Sequence, residues 1–217
     1  TALAADLTHR FIEKPFSKRQ LTNRQTTKFA VIATLSGIIV ASGILLTTKD
    51  DISLPNGRSV SIASVMQKPK IYDDGCHANY GDKKSAECIY GDVNSDRNIV
   101  LYGDSHAAQW FPALEKIAID EGFALISLTK SACPAVEVSR IDSGAFKNSD
   151  CNAWRANSIQ RIKDLSPDAV IMSGFQHFAF PKRYSSRDIW WLEGQRSLYT
   201  KVLNSSPKLI YISDTPK

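Results

Sequence analysis

The sequence predicts an α/β protein, in which one membrane-spanning helix near the N-terminus precedes a parallel β-sheet covered by helices on both faces. Two patterns lead to this prediction. Residues 29–46 form an apolar run of 18 residues without a charge. After Asn98, short apolar runs alternate with segments of helical periodicity, as is typical of parallel sheets. The chain has 217 residues, 43% of them hydrophobic, which is enough for one sizeable core.

The apolar run is predicted to cross a membrane. Its 18 residues span about 27 Å as a helix, close to the thickness of a hydrocarbon core of about 30 Å, and Thr47 and Thr48 extend it. Lys49, Asp50 and Asp51 follow the run, whereas only basic charges crowd the segment directly before it. The positive side stays in the cytoplasm, so the residues after Thr48 are predicted to face outward. A helix buried in a soluble core and a cleaved signal peptide are the alternatives.

The net charge of +5 is unevenly distributed. The basic residues before the apolar run are Arg10, Lys14, Lys18, Arg19, Arg24 and Lys28, and the rest of the chain is close to neutral. Proteins that bind nucleic acids spread basic residues over a folded face. Because the basic residues here flank an apolar run instead, the sequence argues against a nucleic-acid partner.

All four cysteines follow the apolar run and lie in loop-like sequence. This pattern favours two disulfides in an oxidising compartment. Among the three possible connectivities we predict the nearest-neighbour pairs, Cys76–Cys88 and Cys133–Cys151. A zinc site is disfavoured, because no Cys-x-x-Cys spacing occurs and only His77 lies close to a cysteine. No metal is therefore predicted.

Four apolar runs predict the strands of the sheet, at residues 99–102, 123–128, 169–172 and 209–213. Helices are predicted between them: one after Trp110, one at residues 154–165 and one at residues 188–203. Trp190 and Trp191 lie on the last of these helices. We interpret both as core residues, with sugar stacking as the alternative.

The most informative stretch is Gly103-Asp104-Ser105-His106, directly after the first predicted strand. Sites in open α/β sheets form at the carboxyl ends of strands. Gly103 permits a sharp turn, and the helix that follows offers free N–H groups to an anionic oxygen. Ser105 is thus placed to attack an acyl carbonyl while its own N–H stabilises the oxyanion. The alternative is that Asp104 or Ser105 only caps the helix.

Residues 100–107, VLYGDSHA, resemble the first block of the SGNH (GDSL-like) hydrolases, which have a flavodoxin-like parallel sheet. The resemblance implies that Ser105 is the nucleophile, and we expect Asp104 and His106 to shape the site. Residues 8–16, THRFIEKPF, look like the end of the membrane domain in the acyltransferase-3 family, which acylates sugars of bacterial surface polysaccharides. Some members of that family add one helix and a periplasmic SGNH domain, and the segments here follow the same order. Residues 130–134 and 211–216 also resemble segments of this family.

The resemblance divides the chain into four parts. Residues 1–28 would be the end of a membrane acyltransferase domain with a basic cytoplasmic loop, and residues 29–48 the transmembrane helix. Residues 49–97 would be a periplasmic extension with one disulfide, and residues 98–217 a partial SGNH domain. The SGNH triad takes its aspartate and histidine from a late Asp-x-x-His motif, which does not follow Ser105 in this sequence. We therefore expect the domain to be incomplete at its C-terminus, with that motif downstream of Lys217.

Other positions also depart from the family pattern. The usual glycine of the second block is not evident, and Ser131 lies in the neighbourhood where it would be expected. The third block, Gly-x-Asn in the family, reads Gly-Phe-Gln here. Gly174 and Gln176 are predicted to serve the oxyanion or the substrate, unless Gln176 is only a polar loop residue. His106 adjoins Ser105 and is not expected to be its general base, and His177 is a minor alternative for that role.

These resemblances imply an O-acyltransferase, in the simplest case an acetyltransferase, that modifies hydroxyl groups of a bacterial cell-envelope polysaccharide. Acetyl-CoA is the implied donor to the upstream membrane domain, and no cofactor is predicted to bind this chain. The implied partners are the bacterial membrane, that upstream domain and the polysaccharide acceptor. The implied location is the inner membrane, with residues after 48 in the periplasm. A membrane-anchored SGNH esterase and a non-catalytic carbohydrate-binding module are the alternatives. Because a serine without its base is a weak nucleophile, this chain alone is expected to be poorly active.

Overall fold

The computed structural model describes residues 5–6, 9–14, 22–47, 51–54, 57–182 and 184–214. The chain consists of two compact units that divide between Gln67 and Lys68. The first unit contains the apolar helix, and the second contains the sheet and the Gly-Asp-Ser-His stretch. Residues 68–97, which the sequence analysis assigned to a periplasmic extension, lie in the same compact unit as the sheet.

The first unit is dominated by helix α1, Asn23–Thr47. Residues 23–46 are long and apolar enough to cross a membrane, and their most apolar 18-residue stretch has a mean hydropathy of 2.4. The helix begins before residue 29, because helical hydrogen bonding continues through the polar flank, where the Thr26 backbone N–H donates to the Thr22 carbonyl at 2.9 Å. Strands β1, Asp51–Ser53, and β2, Ser59–Ser61, then form an antiparallel hairpin. A single helical turn, α2, Ile62–Val65, follows.

Part of the segment that resembles the acyltransferase-3 family is described. His9–Glu13 form a π-helical turn, in which His9 Nδ1 lies 2.8 Å from Glu13 Oε2. Several residues named in the sequence predictions lie outside the described residues: Thr8, Pro15, Phe16, Lys18, Arg19, Thr48, Lys49, Asp50, Thr215, Pro216 and Lys217.

The second unit is built on a six-stranded sheet. Its strands are β3 His77–Ala78, β4 Ile89–Gly91, β5 Asn98–Gly103, β6 Ala124–Lys130, β7 Ala169–Ser173 and β8 Leu209–Tyr211. Their order across the sheet is β3-β6-β5-β7-β8, and β4 also pairs with β6. Every pair except β4 with β6 is parallel, which confirms the predicted parallel sheet. The strand that leads into Gly-Asp-Ser-His, β5, lies at its centre.

The two short strands β3 and β4 were not predicted from the sequence. Both pair with the outer edge of β6, β4 with its first residues and β3 with Thr129 and Lys130 at its end. Strands of two and three residues are too short to show an alternating pattern, so periodicity does not reveal them. Together they cover an edge of the sheet that would otherwise expose unpaired backbone groups.

Helices cover both faces of the sheet, as predicted. Helices α3, Ser105–Ala108, and α4, Phe111–Glu121, pack on one face, and α5, Asn148–Leu165, and α6, Arg187–Leu203, pack on the other. Side chains of β5 point alternately to the two faces. Leu101 packs with Phe111 of α4, whereas Tyr102 stacks on Trp154 of α5 with ring centroids 5.2 Å apart.

Local differences from the predicted elements have physical reasons. Strand β6 continues two residues beyond the predicted end, because Thr129 and Lys130 pair with β3. Helix α5 begins at Asn148 instead of residue 154, so that Cys151 lies in its first turn. Trp190 and Trp191 are 1% and 8% exposed, as expected of core residues.

Both predicted cysteine pairs are confirmed: Cys76 is bonded to Cys88 and Cys133 to Cys151. Cys76 directly precedes β3 and Cys88 directly precedes β4, so the first disulfide connects the two edge strands. The second connects the loop after β6 to the start of α5. The same loop contains Ser131 and Ala132, which line a cavity with Ser105, so the disulfide anchors one wall of that cavity.

Candidate functional site

The candidate site lies where three neighbouring parallel strands end. Gly103, at the end of β5, pairs with Thr129 of β6 on one side and with Ser173 of β7 on the other. The residues two positions after these paired residues are Ser105, Ser131 and Phe175. Because neighbouring strands are only about 4.8 Å apart, this register brings three consecutive loops to one level at the edge of the sheet.

Gly103 allows the chain to turn sharply at the end of β5. Its φ of 149° is a conformation that residues with a side chain rarely adopt. A Cβ at this position would overlap the Ser173 carbonyl oxygen and approach the Ala107 Cβ to 2.8 Å. The glycine is therefore required both by the backbone conformation and by the close approach of β7 and α3.

Asp104 is the N-cap of helix α3. Its carboxylate accepts hydrogen bonds from the backbone N–H of His106 at 2.9 Å and from that of Phe175 at 3.0 Å. The residue is 1% exposed, and this burial raises the pKa of Asp104 to about 6. Asp104 thus caps the helix, and the same carboxylate also joins the first and third loops of the site.

Ser105 is the first residue of α3, and it is exposed. It opens into a cavity of about 390 Å³. The walls of this cavity include Tyr72, Tyr80, Asp104, His106, Ser131, Ala132, Phe175 and Phe178. A serine hydroxyl at a helix start, in a concave site lined by both aromatic rings and polar side chains, is an arrangement suited to nucleophilic attack on a bound acyl group.

His106 is held by a carboxylate from the far end of the sheet. Its Nδ1 lies 2.6 Å from Asp214 Oδ1, and its ring packs against that of Phe175 with centroids 5.0 Å apart. Asp214 Oδ2 also accepts a hydrogen bond from the Gln176 backbone N–H at 3.3 Å. These contacts hold the His106 ring at the wall of the cavity, and its role in shaping the site stays a prediction. They also bring Asp214 to the site, which the sequence analysis did not predict, since no local pattern connects His106 with a residue 108 positions away.

Gly174 and Gln176, the predicted oxyanion or substrate residues, lie on the loop after β7. A Cβ on Gly174 would come within 3.1 Å of the Ala135 backbone nitrogen, so the loop packs closely there. The Gln176 carboxamide donates to the Tyr211 hydroxyl at 2.7 Å. Gln176 lines a neighbouring cavity of about 360 Å³ together with His177, and neither residue lines the cavity that contains Ser105.

Arg140 supports one wall of the Ser105 cavity. Its guanidinium lies 3.6 Å from the ring centroid of Phe178 and donates a hydrogen bond to the Ala132 carbonyl. Ala132 itself has a positive φ of 56°, which is unusual for a residue with a side chain. The contact therefore holds the loop after β6 in an uncommon conformation beside Ser105.

His77 contacts the site from the edge strand β3. It is 3% exposed, and its ring lies between the Thr129 hydroxyl, 2.9 Å from Nδ1, and the Ser131 hydroxyl, 3.1 Å from Nε2. Asp74 and His77 have Asp-x-x-His spacing, a signal present in the sequence but upstream of the serine. Asp74 accepts a hydrogen bond from Tyr90 instead, so these two residues do not form the aspartate–histidine pair of a triad.

No group of three or more histidine, cysteine, aspartate or glutamate side chains is arranged to hold a metal ion within the part of the chain that the structure describes. The polar groups around Ser105 are hydroxyls, one imidazole and one buried carboxylate. Such groups are suited to hydrogen bonding and proton transfer to an acyl substrate.

Comparison with protein families identifies the second unit. The model of the SGNH domain (fused to AT3 domains) matches residues 75–209, more than half of the chain. The chain belongs to this family. The matched part of the SGNH domain contains β3 to β7 and the first residue of β8, with Ser105, Ser131 and Phe175, and it ends before Asp214. The family description states that this domain occurs fused to AT3 domains.

One solved structure similar to this SGNH domain is the periplasmic domain of a lipopolysaccharide acetyltransferase from Salmonella ser. Paratyphi A. The two are 21% identical, with a TM-score of 0.47. The match covers 58% of this chain and 48% of the Salmonella chain, so the present chain spans about half the length of that relative. No curated protein sequence matches the chain.

Proposed function

We propose that the protein is an O-acyltransferase, in the simplest case an acetyltransferase, that modifies hydroxyl groups of a bacterial cell-envelope polysaccharide with Ser105 as the acyl-accepting nucleophile. The observation that carries the proposal is the position of Ser105. It is exposed at the start of α3, in a cavity above the carboxyl ends of three parallel strands. This is where α/β proteins bind their substrates.

The chemistry proceeds in two steps. Ser105 Oγ attacks the acyl carbonyl carbon, its proton passes to a general base, and the carbonyl oxygen becomes an oxyanion. Collapse of this intermediate breaks the bond to the leaving group, which takes up the proton. An acceptor hydroxyl then attacks the acyl-serine in the same way and restores Ser105. By family resemblance the base is the histidine of an Asp-x-x-His motif, which does not occur in residues 106–217.

The acyl donor and the location form part of the same proposal. The family description connects the SGNH domain with AT3 domains, and helix α1 has the length and hydropathy of a membrane span. We infer an upstream AT3 domain that takes an acetyl group from acetyl-CoA in the cytoplasm and delivers it through the inner membrane. The second unit then acts in the periplasm, where its two disulfides are stable.

The test measures transfer of labelled acetyl from acetyl-CoA to a polysaccharide, with the complete natural protein in inner-membrane vesicles. Ser105→Ala is expected to abolish transfer without unfolding the domain. Ser149→Ala is the matched control, because Ser149 is also an exposed serine in the first turn of a helix. Release of free acetate without transfer would indicate an anchored esterase. Undiminished transfer by Ser105→Ala would refute the nucleophile and favour a carbohydrate-binding role.

A further inference from the structure

A row of polar side chains leads from the interior of the sheet to the Ser105 cavity. The Ser127 hydroxyl lies 3.1 Å from that of Thr129, which lies 2.9 Å from His77 Nδ1. His77 Nε2 lies 3.1 Å from the Ser131 hydroxyl. Ser127, Thr129 and His77 are buried, whereas Ser131 lines the cavity with Ser105. The row therefore ends at the place where we expect the acyl group to bind.

His77 is neutral at neutral pH. Its burial, together with the nearby charge of Lys130, lowers the pKa of His77 to about 4. A neutral imidazole has one nitrogen that donates a hydrogen and one that accepts. The direction of the whole row is therefore set by which nitrogen of His77 carries the hydrogen.

Satisfying the buried hydroxyls selects the Nε2–H form. In that form Ser127 donates to Thr129, Thr129 donates to Nδ1, and Nε2 donates to Ser131. In the Nδ1–H form, one of the two hydroxyl hydrogens of Ser127 and Thr129 has no acceptor among the contacts of the described residues. Leaving a buried hydroxyl hydrogen unpaired costs free energy, so the Nε2–H form is favoured.

This direction leaves the hydrogen of the Ser131 hydroxyl available to the cavity. The backbone N–H of Ser131 is not available, because it donates to the Ala78 carbonyl at 2.8 Å. The corresponding N–H on the other side of Ser105, that of Phe175, donates to Asp104. In the loop after β6, the donor left to stabilise an oxyanion is therefore the side-chain hydroxyl of Ser131 instead of its backbone N–H.

We propose that Ser131 is a catalytic oxyanion donor, whose hydroxyl is oriented by the Nε2–H of His77 toward the oxyanion that forms when Ser105 attacks an acyl carbonyl. The proposal rests on the proposed function. Ser131 stabilises the charge that develops in the transition state, and His77 is a positioning residue that acts through Ser131. The edge strand β3, which carries His77, thus contributes to the chemistry.

The test measures kcat and KM for acyl transfer in the complete protein. Ser131→Ala is expected to lower kcat about 100-fold and to change KM less than about threefold, since the contact forms in the transition state. Ser131→Thr keeps the hydroxyl and should retain most of the activity. His77→Leu should resemble Ser131→Ala, whereas His77→Gln, which places an amide N–H near the former Nε2, should restore part of kcat.

A double variant separates positioning from a structural effect. If His77 acts through Ser131, Ser131→Ala combined with His77→Leu should be no less active than Ser131→Ala alone. If the losses of activity in the two single variants instead multiply in the double variant, His77 does not act through Ser131, and its proposed role is overturned. Imidazole ¹⁵N NMR of the unaltered protein should show hydrogen on Nε2, and hydrogen on Nδ1 would overturn the proposal independently of activity.

The Ser131 proposal and the proposed function can fail separately. Suppose that Ser105→Ala is inactive while Ser131→Ala keeps a kcat within about threefold of the parent. Ser105 would then remain the nucleophile, and the oxyanion role of Ser131 would be overturned. Full activity of Ser105→Ala would overturn the proposed function and the oxyanion role with it. Melting curves of Ser131→Ala and Ser131→Thr, which differ by the hydroxyl and one methyl group, identify any loss due to unfolding.

Discussion

His106 and Asp214 are 108 positions apart in the sequence, and their side chains are joined by a hydrogen bond of 2.6 Å. The Asp214 side chain is 6% exposed, and its second oxygen accepts from the Gln176 backbone N–H. The carboxylate therefore connects helix α3, which carries Ser105, to the loop after β7. It orients the His106 ring at the wall of the cavity.

Removal of this carboxylate should impair acyl transfer without removing the nucleophile. We expect Asp214→Ala to lower kcat by about 10- to 100-fold, because His106 and the β7 loop lose the group that positions them. The measurement is acetyl transfer by the complete protein. Asp120→Ala, which changes an exposed carboxylate on α4, is the control and should leave transfer unchanged. Parent-like kcat in Asp214→Ala would show that the contact has no role in positioning.

Gly103 should not tolerate a side chain. We expect Gly103→Ala to lower the free energy of unfolding by more than about 3 kcal/mol, because its φ of 149° and its contact with the Ser173 carbonyl both exclude a Cβ. Gly81→Ala is the matched control, since nothing lies within 4 Å of the added atom, and its effect should stay within about 0.5 kcal/mol. Denaturant unfolding measures both. Equal stability of the two variants would contradict the tight turn.

The two disulfides should each stabilise the second unit. Their sequence separations are 12 for Cys76–Cys88 and 18 for Cys133–Cys151, which corresponds to about 3 kcal/mol for each bridge in the chain-entropy model. Replacing either pair with serines should lower the melting temperature. Cys88 is partly exposed, whereas Cys133 and Cys151 are buried, so a mild reductant should open Cys76–Cys88 first. An unchanged melting temperature in both paired variants would argue against a stabilising role.

Asp104 should lower the stability of the protein as the pH rises, whereas a carboxylate paired with a cation stabilises the folded state at higher pH. Burial raises the pKa of Asp104 from 3.8 to about 6, so the folded protein holds this proton more tightly than the unfolded chain does. As the pH rises from about 4 to about 6, the protein should lose up to about 3 kcal/mol of stability relative to Asp104→Asn. Unfolding of both proteins at several pH values gives this difference. A difference that does not vary with pH would show that Asp104 titrates normally.

Much of the fold was predictable because its information is local. Val100, Leu101 and Tyr102 form an uninterrupted apolar run, which a strand buried on both faces requires, and the turn residues follow directly. The nearest-neighbour cysteine pairing was likewise accessible, because each pair spans fewer than 20 residues. Strands β3 and β4 were missed, since their two and three residues acquire strand geometry only by pairing with β6.

In the candidate site, too, the residues placed by local sequence could be predicted, whereas those placed by contacts between distant segments could not. Ser105 was predictable, because the strand, the glycine turn and the helix start that expose it are consecutive in sequence. The roles of His77 and Asp214 were not, since their partners are Ser131, 54 positions away, and His106, 108 positions away. The contact between the Gln176 carboxamide and the Tyr211 hydroxyl was likewise not predictable, since the two residues are 35 positions apart.

By itself, the sequence determined the apolar helix, the parallel α/β sheet and the serine at the end of the central strand. Each of these depends on side chains that are neighbours along the chain or repeat at the period of one element. Only the tertiary structure decided which polar groups surround that serine. Their hydrogen bonds depend on the register of three strands, where Gly103 lies between Thr129 and Ser173, and on burial, which keeps His77 neutral and raises the pKa of Asp104. Register and burial arise from packing between distant segments, and no local pattern encodes them.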